Sequence, residues 1–185
     1  MVVGLFGPTT GGKDHLALNV QKYLIEHGKT CSIYAYADRV KEIVCKEYEV
    51  TREELETLKR NHDIIDGNKT MRDVIIATGL KVNSKDNRYF LNYVHDKVKS
   101  DKNEVSIITD PRLLTEINHI VEENGFFIFI ENNRVSDKSK QLEDLPFLKQ
   151  YLHSYENKIY VDNTGYKLTD MDYRKIAKQI IERIV

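Results

Sequence analysis

Glycine and lysine near the amino end of the chain have the spacing of a loop that could hold a phosphate group. The apolar run at residues 2–6 is followed by GPTTGGK at residues 7–13 and then by a segment with helical periodicity. Glycines allow consecutive backbone N–H groups to turn toward one anion, and the start of a helix adds a partial positive charge. The ammonium group of Lys13 can reach the outer phosphates of a nucleotide. The pattern predicts a nucleotide-phosphate site in which Asp14 stands where Ser or Thr is usual.

A second group of residues suited to phosphate chemistry follows the short apolar strand expected at residues 105–109. Asp110 and Arg112 come directly after this strand, and Glu116 lies one helical turn further along. Because the carboxyl ends of parallel strands share one edge of a sheet, we expect these residues on the same edge as Lys13. The Asp110 carboxylate can organise Mg²⁺ through its water shell or hold a guanidinium, and the planar fork of Arg112 suits phosphate oxygens. We expect Glu116 to orient that fork, the alternative being an Asp cap with two solvated charges.

Three more charged residues lie where an anion could bind. Asp38 and Lys41 follow the second expected strand, and Arg72 lies at the start of a helix. Each has an alternative interpretation, which is helix capping for Asp38 and a solvated surface charge for Lys41 and Arg72. The carboxylate of Asp14 is a candidate for the Mg²⁺ shell, because hard cations prefer oxygen ligands.

Strands that alternate with helices predict an α/β fold, a parallel sheet of about five strands with helices on both sides. No linker, repeat or low-complexity tract interrupts the 185 residues, so a single domain over 1–185 is expected. The helix opened by Thr70 is expected to stop near Gly79, and the polar stretch 61–69 is expected to be a loop. The polar stretch 131–143, which contains Arg134, is expected to form a mobile lid.

Composition limits the classes of partner and compartment. A formal net charge of −1 argues against a chain built to coat nucleic acid. Cys31 and Cys45 have neither disulfide-framework nor zinc-site spacing, which favours a reduced, cytoplasmic setting. The apolar runs are too short to span a bilayer, so no membrane partner is expected.

Five segments, taken in order, resemble the phage-type deoxynucleoside monophosphate kinases, a branch of the P-loop nucleotide kinases. They are GPTTGGKD at 7–14, AYADRVK at 35–41, MRDVIIATG at 71–79, IITDPRLLTE at 107–116 and VDNTG at 161–165. The resemblance implies a P-loop nucleoside-kinase-like fold with three α/β/α layers. It also implies transfer of the γ-phosphoryl group of ATP, with Mg²⁺, to a deoxynucleoside 5′-monophosphate.

The resemblance carries over to particular residues of this chain. The residues expected to contact ATP are Gly7, Thr10, Gly11, Gly12, Lys13, Asp14, His15, Arg134 on the lid and Asn163 near the adenine. Those expected to bind the acceptor are Asp38, Lys41, Arg72, Arg112 and Glu116. Lys13, Asp110 and Arg112 are the expected catalytic residues, and Asp14 is the expected metal ligand. Small-molecule nucleotides are the expected partners, a homodimer is allowed, and the setting implied is the cytoplasm of a phage-infected bacterium.

The chain departs from the family pattern at several positions, and two other functions stay open. His15 replaces Thr, residues 79–81 read Gly-Leu-Lys instead of Gly-Thr-acidic, and the usual Trp aligns with Tyr89 or Phe90. The lid glutamate aligns with Glu143 or Glu156. One alternative is a P-loop kinase for another phosphorylated small molecule, such as phosphomevalonate. The other is a nucleotide-binding protein without turnover. A GTPase is disfavoured because the sequence has no Asn-Lys-x-Asp motif.

Overall fold

The computed structural model describes residues 1–8, 12–131, 147, 150–163 and 168–184, and residue 184 is described for its backbone only. The elements in chain order are β1 (Val2–Phe6), α1 (Lys13–Glu26), β2 (Cys31–Tyr34), α2 (Tyr36–Glu47), α3 (Arg52–Asn61), β3 (Ile64–Asp66), β4 (Lys69–Thr70), α4 (Met71–Asn83), α5 (Tyr89–Asp101), β5 (Val105–Ile108), α6 (Leu114–Glu122), β6 (Phe126–Glu131), β7 (Lys158–Asp162) and α7 (Asp170–Ile184). None of the described helices combines the length and the apolar character needed to cross a membrane.

The chain forms two compact units. The first, called here the sheet unit, comprises Met1–Tyr34 and Asp101–Val185, and the second, called the helical unit, is the continuous segment Ala35–Ser100. Their boundaries fall at the end of β2 and just before β5, where composition gives no signal. The single-domain expectation remains a prediction.

The sheet unit is built on five parallel strands in the order β2-β5-β1-β6-β7. The central strand β1 pairs with β5 on one side and β6 on the other, so that Val3 lies opposite both Ile107 and Phe126. All residues of these three strands are buried except Glu131 at the end of β6. Continuous apolar runs are typical of strands covered on both faces, and the predicted parallel sheet of about five strands is confirmed.

Helices cover both faces of this sheet. Leu16, Val20 and Leu24 of α1 pack with Ile176 and Ile180 of α7 against the residues of β1, β5 and β6 that point to one face. On the opposite face α6 lies so close to β1 that a Cβ on Gly4 would come within 2.9 Å of Ile120 Cδ1. The unit is therefore a three-layer α/β/α arrangement, as expected.

The helical unit has its own small core. Val44, Leu55, Met71 and Val74 are buried together, and they join α2, α3 and the start of α4. Capping boxes open two of these helices, with Thr51 and Glu54 at α3 and Thr70 and Asp73 at α4. Both boxes could be read from the sequence because the acceptor and donor lie within four residues.

Three local expectations for the helical unit were wrong. Asp38 does not cap α2, because β2 ends at Tyr34 and the helix already begins at Tyr36. Gly79 does not stop α4, which continues to Asn83, since one interior glycine costs a helix only about 1 kcal/mol. The stretch 61–69 is not a plain loop, because β3 and β4 form an antiparallel hairpin that turns at Gly67, whose φ is 59°.

Candidate phosphate-binding site

The glycine loop begins and ends at positions that accept only glycine comfortably. Gly7 directly follows β1, and a Cβ added there would lie 2.9 Å from the carbonyl oxygen of Ile130 on β6. Gly12 has a φ of 92°, in the left-handed region, and is the residue before α1. Thr10 and Gly11, both predicted to contact ATP, lie outside the described residues.

Lys13 is the first residue of α1, and its side chain folds back over the start of the loop. Its Nζ donates hydrogen bonds to the carbonyl oxygens of Gly7, at 2.9 Å, and Pro8, at 2.8 Å. The sequence predicted a phosphate-binding lysine and missed the part that the Pro8 carbonyl plays. Because Gly12 has no side chain with which to cap α1, the first turn of the helix suits an anion.

The next two residues of α1 are exposed. Asp14 lies in the first turn, and its assignment to a metal shell remains a prediction. His15 has Nε2 3.3 Å from the side-chain nitrogen of Asn19, and its ring meets the edge of Tyr173 with 5.6 Å between centroids. The contact with Tyr173 on α7 is one that sequence reasoning missed, since it joins residues far apart in the chain.

Asn163 lies beside the end of the glycine loop. It follows β7, and its backbone N–H donates to the carbonyl oxygen of Glu131 at the end of β6, at 2.8 Å. A Cβ built on Gly12 would lie 3.3 Å from the side-chain nitrogen of Asn163. The structure thus brings together two of the predicted ATP residues, whereas Arg134 lies outside the described residues.

The turn after β5 is held by a buried carboxyl group. Glu116 is only 5 % exposed, and its Oε2 accepts hydrogen bonds from the backbone N–H groups of Arg112, at 2.6 Å, and Leu113, at 2.9 Å. Burial raises the pKa of Glu116 to about 7, with a further contribution from Asp110, although the two N–H bonds oppose the shift. The described residues contain no ion pair between Glu116 and the guanidinium of Arg112, and the expectation that Glu116 orients this guanidinium remains a prediction. Glu116 fixes the backbone, and the Arg112 side chain is exposed.

The sheet places these groups along one edge. β5 is hydrogen-bonded to β1 in parallel, so Asp110 and Gly7 follow neighbouring strand ends. β6 and β7 continue the same edge toward Glu131 and Asn163. The shared edge was predictable, because strand polarity alone decides it.

The acceptor candidates of the helical unit are engaged with α3. Asp38 pairs with Arg52 at 2.5 Å and Lys41 with Glu56 at 2.8 Å, and the Arg52 Nε lies 3.6 Å from Glu56. Arg72 is exposed in the first turn of α4. The spacing of Arg52 and Glu56, four residues apart on a helix with a capping box, was the signal that could have predicted a charged face on α3.

Neither a protein-family model nor a curated protein sequence matches the chain. Among solved structures, a shikimate kinase from Aquifex aeolicus vf5 shares 14 % identity with a TM-score of 0.43, over 99 % of this chain and 98 % of that one. A shikimate kinase from Acinetobacter baumannii in complex with shikimate shares 12 % identity with a TM-score of 0.42, over 99 % and 92 %. A likeness at this level does not bear on the function proposed below.

Proposed function

We propose that the protein is an ATP-dependent kinase that transfers the γ-phosphoryl group of ATP to a deoxynucleoside 5′-monophosphate. The observation that carries the proposal is the glycine loop between β1 and α1, over which Lys13 Nζ lies against the carbonyl oxygens of Gly7 and Pro8. A lysine in this position can exchange carbonyl oxygens for phosphate oxygens without moving the backbone. The order strand, glycine loop, lysine, helix is typical of a loop that binds nucleotide phosphates.

In phosphoryl transfer the protein mainly positions the reactants and neutralises charge, and it does little covalent chemistry itself. Lys13 and the first turn of α1 would hold the phosphates, and Arg112 would present its guanidinium from a turn that Glu116 fixes. Asp14 and Asp110 offer the oxygen ligands that Mg²⁺ prefers, and a bound Mg²⁺ would neutralise phosphate charge. The residues present therefore fit the cofactor pair of ATP and Mg²⁺.

The acceptor is the finer part of the proposal, and it rests on the sequence resemblance. One observation favours a second candidate, a kinase for another phosphorylated small molecule. The side chains of Asp38 and Lys41, both expected to bind the deoxynucleotide, form ion pairs with α3. An acceptor that binds elsewhere would not need to displace Arg52 from Asp38 or Glu56 from Lys41.

The test is an ADP-release assay with ATP and Mg²⁺ against the common ribo- and deoxynucleoside monophosphates, with phosphomevalonate included. We expect turnover with at least one deoxynucleoside monophosphate and none in a folded Lys13→Ala variant. Turnover with phosphomevalonate alone would favour the second candidate. ATP binding without ADP release from any acceptor would leave a nucleotide-binding protein and overturn the kinase.

A further inference from the structure

The helical unit contains a cleft to which the preceding subsections assign no role. Its volume is about 530 Å³, within the range of small-molecule sites, and its walls come from α2, the β3–β4 hairpin, α4 and the start of α5. Ile43, Val74 and Val82 line it with apolar surface, and Tyr48 and Tyr89 add two aromatic rings. None of the described acceptor candidates of this unit, Asp38, Lys41 and Arg72, lines it.

Three lysines border this cleft, and one of them, Lys69, acts on Asp73, whose pKa is lowered first by hydrogen bonds from Thr70 and then by the charges of Arg72 and Lys69. Lys69, Lys81 and Lys85 all border it, and no ion pair within the described residues involves any of them. By contrast, Lys41, Lys59 and Lys97 of the same unit each lie within 4 Å of a carboxylate oxygen, at 2.8, 2.8 and 3.7 Å. The cleft therefore has positive charges available to a ligand.

The lining also holds three acidic residues, Glu47, Asp66 and Asp86, as many as its lysines. An oxygen of Asp86 accepts a hydrogen bond from the backbone N–H of Arg88 at 2.9 Å, just before α5. Desolvation raises the pKa of Tyr48, and the negative charges of Asp66 and Glu47 raise it further. Lys81 lies in the last turn of α4, and Lys85 lies in the turn that follows the end of that helix at Asn83.

We propose that the cleft binds a small organic anion with a flat or apolar body, of the size of a nucleoside monophosphate. Its anionic group would bind Lys81 and Lys85, and its body would pack on the apolar and tyrosine surface. A phosphate ester is a suitable anion, because its charged oxygens form strong hydrogen bonds with ammonium groups. Two ligands share this chemistry: the phosphoryl acceptor of the proposed reaction, and a nucleotide that regulates it. Both roles rest on the proposed function, whereas the binding itself does not.

The test measures equilibrium binding of the four deoxynucleoside 5′-monophosphates to the full chain without ATP, by calorimetry and by the backbone NMR signals of Ile43, Val74 and Val82. Inorganic phosphate and the unphosphorylated deoxynucleosides serve as comparison probes. We expect Lys81→Glu and Lys85→Glu each to weaken binding by about tenfold or more, because each reverses a charge at the anion. The exposed Lys99 of α5 does not line the cleft, so Lys99→Glu is the matched control and should bind like the wild type.

A second variant keeps the test independent of charge. Ala77→Trp would fill the cleft from α4 and should abolish binding of the nucleotide while thermal unfolding confirms that the chain folds. Absence of binding by every probe at millimolar concentration, or equal weakening by Lys99→Glu, would overturn the proposal.

Kinetics then separate the two ligands. For an acceptor, Lys81→Glu raises the KM for the acceptor and leaves the KM for ATP unchanged. For a regulator, the same variant leaves both KM values and removes the effect of the bound nucleotide on turnover. Because binding is measured without ATP, it can fail while Lys13-dependent ADP release persists, and it can succeed in a protein that lacks kinase activity.

Discussion

Glu116 is a buried carboxyl group whose pKa lies well above its ordinary value. Its folded pKa of about 7 lies above the ordinary 4.5, because burial penalises the carboxylate more than two N–H bonds reward it. The stabilising contribution of the protonated form is therefore fully present below pH 4.5 and is lost as the pH rises to about 7.

Replacing Glu116 with Gln should remove this pH dependence. We expect the free energy of unfolding of the wild type, relative to Glu116→Gln, to fall by about 3 kcal/mol between pH 4.5 and pH 8. Urea unfolding of both proteins across this range measures the difference. A difference that stays constant with pH would contradict a buried carboxyl group that titrates near neutrality.

The exposed guanidinium of Arg112 leads to a kinetic prediction. Arg112→Lys should keep the backbone turn, because Glu116 accepts hydrogen bonds from backbone N–H groups, which this substitution does not change. Turnover should nevertheless fall by roughly 10- to 1000-fold, about 1.4–4 kcal/mol of transition-state stabilisation, because a lysine cannot form the bidentate contact. Steady-state kinetics and ATP affinity are the measurements, with Arg60→Lys at the end of α3 as the control. Near-normal turnover would make Arg112 a structural residue.

At the level of elements, replacing either of two glycines with alanine should change the stability of the fold in opposite directions. A Cβ on Gly125 would lie 2.6 Å from Ile120 Cγ2 and 2.7 Å from the carbonyl oxygen of Val2, and the second atom belongs to the sheet backbone. Gly125→Ala should therefore destabilise the fold by about 1–3 kcal/mol through overpacking between α6 and β6. Gly79, inside α4, has only Val40 Cγ2 nearby, at 3.7 Å, and Gly79→Ala should stabilise by about 0.5–1 kcal/mol. Denaturant unfolding of the two variants decides, and equal effects would contradict the packing described.

One carboxylate at the junction of α2 and α3 is bonded to two lysines. Glu56 Oε1 pairs with Lys41 and its Oε2 with Lys59. Although burial raises the pKa of Glu56, hydrogen bonds from both lysines outweigh it and hold the pKa at about 2. The stabilisation is present above pH 4.5 and is lost as the pH falls toward 2.

Glu56→Gln should lower the free energy of unfolding at pH 7 by about 1–2 kcal/mol, a value reduced for the partial exposure of the network. Glu53→Gln, an exposed change on the same helix, is the control and should have a smaller effect. Chemical unfolding at pH 7 and at pH 3 measures both. If Glu56→Gln lowers the free energy of unfolding no more at pH 7 than at pH 3, the ion pairs of Glu56 with Lys41 and Lys59 do not stabilise the fold as described.

Elements and site differ in how far the sequence predicts them. The parallel sheet and the capping boxes could be predicted, because apolar runs and caps depend on neighbours within a few residues. The hairpin could not, because β3 and β4 are short and leave Ile64 exposed, so they lack a buried face. The partners of Glu116 and Asp38 could not either, since several charged residues at similar spacing compete and only the tertiary packing chooses among them.

At the scale of the whole molecule, ligand binding should raise the free energy of unfolding. ATP with Mg²⁺ at about 100 times its Kd should add about 2.7 kcal/mol and raise the Tm by several degrees. Lys13→Ala should abolish this shift, and Asp14→Ala should require more Mg²⁺ to reach it. Thermal unfolding with and without the ligands checks both, and an equal shift in Lys13→Ala would remove the phosphate site from the glycine loop.

The position of β1 in the sheet also has a consequence for synthesis on the ribosome. Val2 pairs with Ser106 and Val3 with Phe126, so β1 is synthesised well before its hydrogen-bonding partners. The helical unit, in contrast, draws its core from the continuous segment Ala35–Ser100. Its internal contacts are available while β1 still has no neighbour, and the sheet can close only after β6 has left the exit tunnel. Until then, the apolar strand that leads into the glycine loop has no strand to pair with and is open to aggregation.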